Sequence, residues 1–70
     1  MKMFNVASSC FKRVGYNSKE KTMRIKFNSD RLYAYYNVPE NVFHELLNAD
    51  SHGRYFNSHV RNRYGDTKIS

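Results

Sequence analysis

Leu32-Tyr33-Ala34-Tyr35-Tyr36-Asn37-Val38-Pro39 is the stretch at which one periodicity ends and another begins. Upstream, apolar and polar residues alternate as in strands. Downstream, apolar residues recur at helical spacing. Pro39 ends extended structure and suits the first turn of a helix. The stretch itself reads as a strand over about 31–37, with Tyr33 and Tyr35 on one face and Leu32, Ala34 and Tyr36 on the other. Both faces carry apolar mass. Either the helices cover one face and a partner the other, or the tyrosine hydroxyls reach solvent at an edge.

Before this strand, Met23, Ile25 and Phe27 alternate with Thr22, Arg24 and Lys26 over about 22–28, giving one buried and one basic face. An earlier strand over about 10–16 is anchored by Phe11, Val14 and Tyr16. Phe11 and Val14 are three apart, so a bulge is needed, and Gly15 is the expected place for it. Cys10 is expected as a small core residue. The links at 17–21 and 28–30 are short and turn-like, which makes the three strands antiparallel neighbours. After Pro39, Val42, Phe43, Leu46 and Leu47 define a helix to Asn48, with Glu40 favourably placed in its first turn. Asp50-Ser51 reads as the cap of a second helix over 52–64, with Phe56, Val60 and Tyr64 as its docking stripe and Gly65 as its stop. Residues 1–7 read as a lead-in and 66–70 as a mobile tail. The expected fold is therefore α+β: a three-stranded antiparallel β-meander followed by two α-helices packed on one face. It forms a single domain over 1–70, with an ordered core of about 6–64.

Seventy residues allow one core, built here from six Tyr and five Phe without Trp. Twelve Lys and Arg against six Asp and Glu give a net charge of +6, spread along the chain. The resulting positive field favours polyanions: nucleic acid, acidic proteins or an anionic membrane face. With Cys10 as the only cysteine, no internal disulfide is possible, and a reducing cytoplasm is the expected location. Ala7-Ser8-Ser9-Cys10 superficially matches a lipoprotein cleavage site but lacks the apolar run before it; neither a signal peptide nor a membrane span is expected.

The strongest candidate site is the second helix. Arg54 and Arg61 are seven apart and share a face, with Asn57 and Ser58 between them and Arg63 and Lys68 beyond. The free amides at Ser51, His52 and Gly53 point a positive dipole end at whatever lies before the helix, as phosphate sites do. The plainer reading is a capped helix with a solvated basic face. A second candidate is the strand face of Arg24 and Lys26, with Tyr33 or Tyr35 near it, because positive grooves with stacking aromatics hold single strands. Tyr35 or Tyr55 would stack on bases. Core packing competes for the strand tyrosines. His44, His52 and His59 lack the spacing of a zinc site, and no phosphate loop, nucleophile pair or acid–base pair is present. No metal, cofactor or enzyme activity is expected.

Several stretches resemble the KTSC domain, a family named for the C-terminus of some lysyl-tRNA synthetases and found also as small single-domain proteins of bacteria and phages. They are Val6-Ala7-Ser8-Ser9, Val14-Gly15-Tyr16, the strand ending at Phe27, Tyr33-Ala34-Tyr35, Val38-Pro39, Ser51-His52-Gly53-Arg54-Tyr55-Phe56-Asn57, Val60-Arg61 and Tyr64. They follow the family's order over nearly the whole chain. Ser29-Asp30 departs from it, since the family usually places a glycine before the third strand. The resemblance implies an RNA-binding role and supplies no catalytic residues. The expected function is a small non-catalytic module binding RNA or single-stranded nucleic acid. The alternative is a protein–protein interaction module, which needs an exposed apolar patch of several hundred Å². A monomer or weak dimer without a membrane partner fits either.

Overall fold

The computed structural model describes all residues, 1–70. The chain runs β1 (Met3–Asn5), β2 (Phe11–Asn17), β3 (Thr22–Phe27), β4 (Leu32–Tyr35), α1 (Glu40–Asn48), α2 (His52–His59) and β5 (Asp66–Lys68). All neighbouring strands pair antiparallel in the order β1-β2-β3-β4-β5. The α+β class is as expected, but the sheet has five strands rather than three. The lead-in forms one edge. The supposed tail over 66–70 forms the other: the Leu32 amide donates to the Ser70 carbonyl at 2.9 Å, and the Ile69 amide to Leu32 at 2.7 Å. Both edge strands are three residues long and largely exposed. They carry no alternation to read, because backbone hydrogen bonds to a neighbour hold them rather than burial of their side chains.

Register decides the core. Val14 faces Ile25, Tyr16 faces Met23, and Tyr33 and Tyr35 face Ile25 and Met23. These residues share the helix-side face, where they meet Phe43 and Leu46 of α1 and Phe56 and Val60 beside α2. Tyr35 is thus a core residue and Tyr33 packs half-buried against the core. The bulge in β2 lies between Phe11 and Arg13, at Lys12, and not at Gly15. The extra residue turns Phe11 and Val14, three apart in sequence, onto the same buried face. Gly15 instead admits β1: a Cβ there would meet Met3 Sδ and come within 2.8 Å of the Lys2 carbonyl oxygen. Cys10 is exposed just before β2 and does not join the core.

The hand-over from sheet to helix is pinned by Tyr16. Its hydroxyl donates to the Val38 carbonyl at 2.5 Å, and its ring stacks on Phe43 at 5.2 Å. Asn37 takes the left-handed conformation between Tyr36 and Val38. Asp30 does the same in the β3–β4 turn, and its carboxylate accepts from Lys12 Nζ at 2.6 Å. That bond holds the Asp30 carboxyl below its ordinary range. α2 stops at His59, five residues before Tyr64. Its last turn loosens as the Arg61 amide reaches the Phe56 carbonyl at 2.8 Å, and Asn62, not Gly65, supplies the left-handed residue that reverses the chain into β5. No helix is long and apolar enough to cross a membrane.

Candidate nucleic-acid interface

α2 begins as its sequence dictates. Ser51 caps it, its Oγ accepting from the Arg54 amide at 3.3 Å. The helix start is pressed against the end of the β1–β2 link. A Cβ on Gly53 would lie 2.6 Å from Cys10 Sγ, so a larger residue there has to displace that exposed thiol. Gly53→Ala is expected to crowd the exposed Cys10 thiol at a cost of about 1 kcal/mol, offset by a gain in helix propensity of about the same size. Cys10→Ala should relieve the crowding, so a double-mutant cycle read by chemical denaturation should show coupling of about 1 kcal/mol between the two positions. Simple additivity would mean that the contact is unimportant.

Two adjoining pockets that share lining residues make up a groove along this junction. Its first half, about 550 Å³, is lined by Ser8, Ser9, Ser51, Arg54 and Ser58, among others. Its second half, about 620 Å³, is lined by Phe27, Tyr33, Tyr35 and Phe56 together with Arg31 and Arg61. Cys10, Gly53 and Asn57 belong to both. The aromatic rings form an edge-to-face network: Phe27 lies 5.6 Å from Tyr33 and 5.7 Å from Phe56, and Tyr35 lies 5.6 Å from Phe56. Burial, Asp66 and Tyr33 push the Tyr35 hydroxyl up to about 12 against the pull of Arg61, so it stays a neutral donor. The groove contains three arginines and two carboxylates, Asp50 in the first half and Asp66 in the second.

The structure divides the residues picked out from sequence. Ser51, His52, Gly53, Arg54 and Asn57 line the first half, and Asn57, Arg61 and Tyr35 the second. His52 is tied down: its Nδ1 donates to the Leu46 carbonyl at 2.8 Å, locking the start of α2 to the end of α1. Tyr55 faces α1, not the groove. Its hydroxyl donates to Glu45 at 2.6 Å and its ring stacks on His59 at 4.3 Å. Burial, then the Glu45 contact, raises that hydroxyl to about 12, and the same bond holds the Glu45 carboxyl low. Arg63 is exposed on the turn after α2 and lines neither half. Arg24 and Lys26 point to the opposite face of the sheet, since Met23, Ile25 and Phe27 take the helix side. Arg31, Phe27 and Tyr33 were not among the strongest candidates. A period-two reading of Arg31, Tyr33 and Tyr35 would have put all three on one face.

Residues 7–64 match the KTSC domain family. The chain belongs to the KTSC domain family. A small protein of Tsukamurella paurometabola is 39% identical over 59 residues, 84% of this chain and 88% of that one. A lysine–tRNA ligase of Nostoc punctiforme is 34% identical over 62 residues, 89% of this chain and 11% of the ligase. The crystal structure of a KTSC domain protein from Yersinia pestis superimposes with a TM-score of 0.95 at 28% identity, covering 99% of this chain and 97% of the other. The fold is therefore shared with a solved relative along nearly the whole chain.

Proposed function

We propose that this KTSC domain is a non-catalytic module that binds RNA or single-stranded nucleic acid. The observation that carries the reading is the groove in which the half-buried rings of Phe27 and Tyr33 share a lining with Arg31 and Arg61. Unpaired bases stack on such rings while arginines hold the backbone phosphates. Asn57, where the two halves meet, offers an amide to base edges. The similar stretch within a lysine–tRNA ligase supports RNA as the partner. The large apolar side chains left most exposed are Met1 and Phe4 at the β1 margin and Tyr36 and Ile69 at the β4–β5 margin. That division favours nucleic acid over docking on a protein through one apolar patch.

Titration of a labelled mixed-sequence single strand at several salt concentrations tests this. The logarithm of affinity should fall linearly with the logarithm of salt, by about 0.7 for each phosphate neutralised, and Arg31→Gln with Arg61→Gln should flatten the slope by about 1.4. A salt-independent signal, or a slope unmoved by the double substitution, would overturn the reading.

A further inference from the structure

The sheet has a second face that no helix covers. Register assigns it Met3 and Asn5 from β1, Arg13, Gly15 and Asn17 from β2, Thr22, Arg24 and Lys26 from β3, Leu32 and Ala34 from β4, and Thr67 from β5. Three of these are cations and none is a carboxylate. Arg13 stands directly opposite Lys26, and Arg24 lies between Gly15 and Ala34 two residues further along β3. The three positions are therefore direct or diagonal neighbours, about 5–8 Å apart at the backbone along and across the strands. The chain's two ion pairs, Lys12 with Asp30 and Glu40 with His44, leave all three unpaired, and none makes a side-chain hydrogen bond within the chain.

Like charges directly opposite each other in a sheet are destabilising. Inside the chain only Asp30, already paired with Lys12, is near enough to Lys26 to feel its charge, so most of the repulsion is left for a partner outside the chain to offset. The helix-side groove offsets its arginines with Asp50 and Asp66, so the uncovered face is the more purely basic of the two. Neither half of the groove includes any of its residues, and a row of cations spread over three positions suits charge repeated along a polymer better than one anchored group.

We propose that the uncovered sheet face, through Arg13, Arg24 and Lys26, is a second phosphate-contacting surface, so that one molecule holds two nucleic-acid segments. The proposal rests on the nucleic-acid reading of the groove and adds a bridging activity to it. The two surfaces lie on opposite sides of a body measuring 28 × 25 × 23 Å, too far apart to grip the same few nucleotides.

The test is a capture experiment. A single-stranded oligonucleotide is fixed to a bead, the protein is added, and a second, differently labelled strand without complementarity follows. The wild type should retain the second strand. The triple variant Arg13→Gln, Arg24→Gln, Lys26→Gln should bind the fixed strand but lose most of the captured label, with an unfolding midpoint no lower than the wild type's, since a like-charge pair has gone. Undiminished capture by the variant would overturn the proposal, as would failure of the wild type to capture although it binds the fixed strand. No binding to the fixed strand would overturn the groove reading itself. Equal displacement of the second strand by polyglutamate and by an oligonucleotide of the same charge would assign the face to an acidic polypeptide instead.

Discussion

Phe56→Ala is expected to leave about half of the molecules unfolded at room temperature. Phe56 is the side chain through which α2 enters the sheet. Its ring makes edge contacts with Phe11 at 5.6 Å, Phe27 at 5.7 Å and Tyr35 at 5.6 Å. Truncating a buried phenylalanine costs about 3–5 kcal/mol, because the cavity adds to the lost transfer energy. A single core in a domain of this size rarely supplies more than about 3–5 kcal/mol in total. The two figures are comparable, so no margin remains. Phe56→Leu keeps most of the volume and should cost less than about 1.5 kcal/mol. Urea denaturation followed by circular dichroism distinguishes them. A folded Phe56→Ala protein with a near-normal midpoint would show that α2 is docked by other contacts.

Tyr33→Leu is expected to weaken binding to a single strand by about tenfold to a hundredfold while leaving the fold intact. Tyr33 is half-buried, lines the groove, and lies 5.6 Å from Phe27 and 6.4 Å from Tyr35. One stacked base contributes about 1–3 kcal/mol. Leucine preserves the apolar contact with the core but offers no flat face. Loss of stacking should lower affinity at every salt concentration without changing the slope, because no phosphate contact is removed. Removal of Arg31 and Arg61 should do the reverse, flattening the slope. A Tyr33→Leu protein that binds normally would mean that the aromatic network serves packing alone.

The split between Tyr33 and Tyr55 shows where sequence reasoning could reach. Tyr55 sits in the middle of a basic helix and looked free to stack. Its orientation depends on Glu45, ten residues away on α1, whose carboxylate takes the tyrosine hydroxyl. No local pattern announces that bond. Tyr33 was ambiguous because both faces of its strand carried apolar residues. The ambiguity ended with the register, which sets Tyr33 opposite Ile25 and Lys68. Arg24 and Lys26 belong to the same lesson. Their alternation with Met23, Ile25 and Phe27 correctly marked a basic strand face, but grouping them with Arg54 and Arg61 required the sheet to have one functional side. It has two.

Local chemistry was enough for the central elements. Alternation in β3, helical spacing after Pro39 and the Ser51 cap each depend on residues close in sequence, and each was legible from the chain. The ordered motifs of the KTSC family were legible for the same reason. The edge strands were not, because β1 and β5 exist only by pairing with β2 and β4, and an exposed segment carries no periodic trace of a partner it meets through its backbone. The bulge at Lys12, the left-handed turn at Asn62 and the approach of Gly53 to Cys10 were settled in the same way, by contacts between distant segments. Sequence determined which residues could form a core and a basic surface. Tertiary structure alone decided that the aromatic groove and the bare row of cations stand on opposite faces of one sheet.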